Sequence, residues 1–158
     1  MILDSLINNL KTQLDRRRHR PFLRATMAAC ALVAAADGAV SLRERVRVDQ
    51  VLDYLETLRI FDPHEGVELF NEFADAILAT PREGHEHALA AIREEVDQHP
   101  ESAELLIRVC IGVSKVDDHL PMVEQIEIVS LMQTLGVEVN DPLLYATPGG
   151  PDITSPGA

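Results

Sequence analysis

The chain has no tryptophan, two tyrosines and four phenylalanines in 158 residues. Its core must therefore be assembled from Leu, Ile, Val and Ala, a palette that favours helices. Cysteine is nearly absent, and Cys30 and Cys110 have neither a Cys-x-x-Cys partner nor a neighbouring histidine. That leaves a single Cys30–Cys110 disulfide as the lesser alternative and gives no support to a zinc or nucleophile site; both cysteines read as small core residues. No apolar run approaches the ~20 residues that span a bilayer, since the stretch from Ala25 to Ala36 is too short. The start, Met1 to Asp4, lacks the basic opening of a signal peptide, so the expected location is cytoplasmic. Basic residues are scarce, 14 against 26 acids, for a net charge of −12. An acidic body repels phosphate backbones, which excludes nucleic acid as a partner. Gly-rich phosphate loops, Gly-x-Ser-x-Gly and His-Glu-x-x-His are all missing, and paired carboxylates alone define no reaction, so no enzyme is expected.

What the chain does contain is a repeat. The segment Ala35-Ala-Asp37-Gly-Ala-Val-Ser-Leu-Arg-Glu44 is echoed 80 residues later by Lys115-Val-Asp117-Asp-His-Leu-Pro-Met-Val-Glu124. The same offset pairs Cys30 with Cys110, Val33 with Val113, Val46 with Ile126, Val51 with Leu131 and Leu55 with Leu135. Self-similarity at fixed spacing marks one supersecondary unit used twice. Here the unit is an apolar helix, an Asp-led turn, a Glu near the next helix start and a second helix. At this length one domain buries roughly 70% of its unfolded surface and needs no staples.

The pattern predicts an all-α fold: a compact bundle of about seven helices and no strand, in two related helix-turn-helix halves about a pseudo-two-fold axis. Leu3, Leu6, Ile7, Leu10 and Leu14 lie at helical spacing, ahead of the basic run Arg16-Arg17-Arg18-His19-Arg20 and Pro21. Residues 1–23 thus form an amphipathic helix and basic segment carrying six positive charges up to Arg24, against Asp4 and Asp15. Residues 24–141 form the main domain, with repeats at about 24–60 and 104–140. An Ala-rich helix from Arg24 to Ala36 is apolar nearly all round and therefore buried. The helix from Leu42 to about Leu58 turns Val46, Val51, Leu52 and Leu55 inward. Asp62-Pro-His-Glu65 and Thr80-Pro-Arg-Glu83 each open a further helix. Helices from Glu101 to Val116, with Leu105, Leu106, Val109, Cys110 and Val113 inward, and from Pro121 to Leu135 complete the set, the last closed by Gly136. Residues 142–158 hold too little apolar content to fold and read as a disordered tail.

Chemistry concentrates at the two acidic turns. Asp37 and Glu44, with the Ser41 hydroxyl, come from one; Asp117, Asp118 and Glu124 come from the other. Hard cations require such oxygen donors, and clustered carboxylates repel one another unless a cation or proton intervenes. Calcium, magnesium or manganese fit this donor set, with zinc the weaker match. The competing reading is structural: Ser41-Leu-Arg-Glu44 is a capping box and Asp37-Gly38 an ordinary turn pair. Pro121 replaces the Ser of the first turn, so Glu124 cannot complete the same box, yet the Asp-to-Glu spacing of seven persists. Neither turn is an EF-hand, whose ligands span twelve residues.

These residues carry a family likeness. Ala-Ala-Asp37-Gly-Ala-Val-Ser-Leu-Arg-Glu44 after an Ala-rich helix resembles the signature of the TerB-like family, named for a tellurite-resistance protein, and the resemblance covers roughly Arg24 to Val137. It implies an all-helical domain in two related halves, acidic residues that bind a divalent metal, and a stress-response or membrane-linked accessory role without an established reaction. The second motif departs from the family pattern, with Asp117-Asp118-His119 in place of Asp-Gly.

His85-Glu86-His87 reads as solvated surface, because residues two apart on a helix face different ways. His119 lies inside the second acidic turn, within reach of a carboxylate or a transition metal. Arg16, Arg17, Arg18 and Arg20 offer a surface for an anionic lipid or an acidic protein partner, or pair with the acidic body. The function expected is a non-catalytic accessory domain that binds a divalent cation or a protein partner through its acidic turns. The alternative is a metal-independent scaffold that docks through its first helix.

Overall fold

We describe the computed structural model of the chain over residues 20–57, 62–115 and 119–145, with backbone only at 54–57. Among these residues there are six helices and no strand: α1 at residues 20–34, α2 Leu42–Thr57, α3 Pro63–Ala79, α4 Pro81–Gln98, α5 Ser102–Ser114 and α6 Met122–Leu135. The amphipathic helix expected at residues 3–14 lies outside the described residues.

α1 is the axis of the bundle. Its Ala-rich sequence leaves little side-chain bulk, so neighbours close in on every side, and Ala25 to Ala35 are all buried. Arg24 lies over the Phe73 ring of α3, 4.9 Å from its centroid, and Arg20 Nε sits 2.7 Å from Glu65 Oε1 at the start of α3. Cys30 on α1 is in hydrogen-bond contact with Cys110 on α5. Both thiols are free and fully buried, and the contact with Cys30, followed by burial, holds the Cys110 thiol well above its usual range. Repeat-equivalent residues thus touch at the centre of the molecule.

Local signals explain most element ends. Asp62 caps α3 by accepting from the His64 amide at 3.0 Å, with Pro63 next. α6 stops at Gly136, whose φ of 67° is the left-handed conformation that a side chain disfavours. Thr80 departs from expectation: its hydroxyl donates back to the Ala76 carbonyl at 3.2 Å and does not cap α4. A threonine ending one helix is already committed there.

The inward faces also differ from the sequence reading in places. Val46 is 45% exposed and Leu105 51% exposed, while Val48, Leu52, Leu106, Cys110 and Val113 are buried. The apolar residues on these helices outnumber the positions that face the core, so pattern alone could not choose among them. Residues 142–144, assigned to the tail, form a short 3-10 turn. Asp141 caps it by accepting from the Leu143 amide at 3.0 Å, and Leu144 is buried. Gln125 of α6 donates to the Leu143 carbonyl at 2.6 Å and fastens the turn to the bundle.

Candidate functional site

The two halves meet at two glutamates. Glu44 stands in the first turn of α2 and Glu124 in the first turn of α6. Both are nearly sealed from solvent, 7% and 4% exposed, and their side chains are in hydrogen-bond contact.

Each end of Glu44 has a separate task. Its Oε1 accepts from the Ser41 amide at 3.1 Å and from the Ser41 hydroxyl at 2.8 Å, while that hydroxyl accepts from the Glu44 amide at 3.2 Å. This is the capping box read from the sequence. No N–H or hydroxyl donor reaches its buried Oε2, and none reaches Oε2 of Glu124. The capping and site readings therefore describe two oxygens of one carboxylate.

Two buried carboxylates in contact cannot both stay charged without a cation, so one retains a proton. The Glu124 carboxyl is pushed up to about 8, first by burial, then by its hydrogen-bond contact with Glu44, then by the charges of Glu44 and Asp37. The proton it holds at neutral pH supplies the donor that two carboxylates otherwise lack. Helix N-termini behind both glutamates favour negative charge there and offset part of the repulsion.

Asp37 lies at the surface of the α1–α2 turn, where its Oδ1 accepts from the Ala39 amide at 3.1 Å and Gly38 takes a φ of 90°. Its charge reaches Glu124. The structure thus brings Asp37, Glu44 and Glu124 to one region, whereas Asp117 and Asp118 lie outside the described residues. Among the described residues no group of three or more His, Cys, Asp or Glu has metal-holding geometry. The donors present are carboxylate oxygens with buried free lone pairs, which suit a hard cation. His119 is exposed. Arg20 is engaged with Glu65, and Arg16, Arg17 and Arg18 lie outside the described residues.

Sequence reasoning missed the apolar residues flanking the pair on the outer sides of both helices. Leu42 and Val46 on α2, and Met122 and Ile126 on α6, are all exposed. The repeat offset contained that signal, because it pairs Leu42 with Met122 as well as Val46 with Ile126.

An all-helical domain with a repeat-related pair of acids buried at the junction of its halves is the class defined by this architecture. The tellurite resistance protein TerB family matches residues 23–142, and the chain belongs to that family. A relative, the tellurium resistance protein TerB of an Alcaligenes species, is 32% identical over 102 residues, covering 65% of this chain and 83% of the relative. No solved structure shows a significant match. No helix among the described residues is long and apolar enough to cross a membrane.

Proposed function

We propose that this TerB-family domain is a non-catalytic accessory module that captures a divalent cation between its two halves. Glu44 and Glu124 supply the central oxygens, Asp37 adds charge from the rim, and Asp117 and Asp118 of the second turn are the natural remaining donors. The observation that carries this reading is the buried Oε2, reached by no N–H or hydroxyl donor, on each of two interacting glutamates. An all-oxygen donor set favours calcium, magnesium or manganese. A site of this sign does not attract an oxyanion. We therefore place any part in tellurium resistance, the property in the Alcaligenes relative's name, in cation-dependent recognition of a protein partner and not in direct capture of tellurite.

Calorimetric titration of metal-stripped protein with each of the three ions tests the proposal. One ion should bind with a stoichiometry of one, and Glu44→Gln with Glu124→Gln should abolish the heat while leaving the helical signal intact. Absence of binding by all three ions in the parent protein would reject the cation reading. The metal-independent scaffold, favoured by the capping role of Glu44, would then stand.

A further inference from the structure

Arg45, Val48 and Asp49 share one face of α2, and Val67, Phe70 and Asn71 share one face of α3, each set at the i, i+3, i+4 spacing that brings side chains together on a helix. The two faces line a groove of about 150 Å³ between the helices. Val48 and Phe70 are buried, so apolar side chains wall the groove beside the half-buried Arg45. From α2 the arginine reaches α3, where its Nη1 donates to Oδ1 of Asn71 at 2.8 Å.

That bond uses one N–H of the guanidinium fork and leaves its charge uncompensated. Asn71 is neutral, and among the described residues no carboxylate stands within ion-pair distance of Arg45. In a chain with 26 acids and 14 basic residues this is unexpected, because a charge drawn out of water is normally paired. The repeat sharpens the point. The residue 80 positions on is Gln125, whose neutral amide donates to the Leu143 carbonyl and ties α6 to its neighbour. A neutral donor thus suffices for the structural task at this position, and the charge of Arg45 has no part in it. Volume limits the occupant, since the groove is about half the size of the smallest drug-sized pockets, ~300 Å³. A carboxylate on a short aliphatic chain matches it in size, in sign and in the character of its walls. Asp49 lines the groove as well, but it is exposed, and solvent screens its charge.

We propose that this groove binds a carboxylate carried on a short aliphatic chain, with Arg45 holding the carboxylate and Val48, Val67 and Phe70 packing against the chain. Glu44 is not among the groove's lining residues, so the proposal stands whether or not a cation binds at the glutamate pair. Magnetic resonance titration of the isotope-labelled full chain with sodium butyrate, against sodium chloride at equal ionic strength, tests it. The Nε–Hε signal of Arg45 and the amides of residues 45–49 and 67–71 should shift to saturation with butyrate and not with butanol, which has the same chain without the charge. Arg45→Gln, which keeps a donor for Asn71, should weaken binding at least about tenfold through the lost charge-assisted hydrogen bonds. Arg47→Gln, outside the groove, should leave it unchanged. A second arm uses N-acetyl-Ala-Glu-Ala-amide, which presents the carboxylate as an acidic side chain of a protein does. Saturation by either probe that depends on Arg45 upholds the site, and the tighter of the two identifies the source as a free acid or a partner's side chain. Shifts that never saturate, that sodium chloride reproduces, that survive Arg45→Gln, or that weaken equally in Arg47→Gln would overturn the proposal.

Discussion

Glu124 gives the stability of this molecule a dependence on pH. Its carboxyl titrates near 8 in the folded chain but in the ordinary range, about 4.3, once unfolded. Between those values the folded state binds the extra proton, so metal-free stability falls as pH rises. This contribution is fully present below about pH 4 and is lost above pH 8. Glu124→Gln, uncharged throughout, should flatten the slope of unfolding free energy measured in urea with chelator between pH 5 and 8. An unchanged slope would mean that Glu124 carries no proton in this window. Cation binding must displace the same proton, so Mn²⁺ affinity should tighten by up to about tenfold per unit between pH 6 and 8. Titration calorimetry in buffers of different ionisation enthalpy would report the released proton; zero release would contradict the assignment.

At the scale of elements, caps and close approaches decide what each segment tolerates. Ser41 both closes the first turn of α2 and fixes Oε1 of Glu44. Ser41→Ala should cost about 1 kcal/mol and also weaken cation binding, an effect that a cap remote from the site would not produce. Gly84 is buried where the start of α4 passes the end of α3, and an added Cβ would lie 2.5 Å from the Ile77 amide nitrogen and 2.6 Å from the Ala76 carbonyl oxygen. Because backbone cannot yield as a side-chain tip does, Gly84→Ala should destabilise by at least about 2 kcal/mol, read as a lower urea midpoint. A midpoint within error of the parent would show that the two helices have room to part.

Elements of this kind were the legible part of the fold. The helix starting at Asp62-Pro63 and the stop at Gly136 follow from residue chemistry within a few positions, and the structure has both. Thr80 misled because a hydroxyl at a junction can serve the helix behind it as readily as the one ahead. Val46 and Leu105 misled because an aliphatic residue at the edge of a helical stripe has no local mark of which side the neighbour lies on. The capping box could be read from Ser41 and Glu44, but not the free second oxygen of Glu44. That depends on Glu124, eighty residues away, and only the packing of α2 and α6 brings it into contact.

At the scale of the molecule, the repeat has two points of closure. Cys30 meets Cys110 within the core, and Glu44 meets Glu124 where the first turns of α2 and α6 approach one another. The first contact joins two fully buried thiols and consolidates the bundle. The second leaves buried lone pairs open at the junction of the halves, an arrangement that a fold selected for stability alone would replace with aliphatic side chains. The central claim is that one cation occupies this junction and is shared by both halves. Anomalous diffraction from crystals grown with Mn²⁺ tests it most directly. The account predicts one peak, with an oxygen of Glu44 and an oxygen of Glu124 each about 2.0–2.4 Å away. Separate peaks at the individual turns, or no peak between the glutamates, would contradict it.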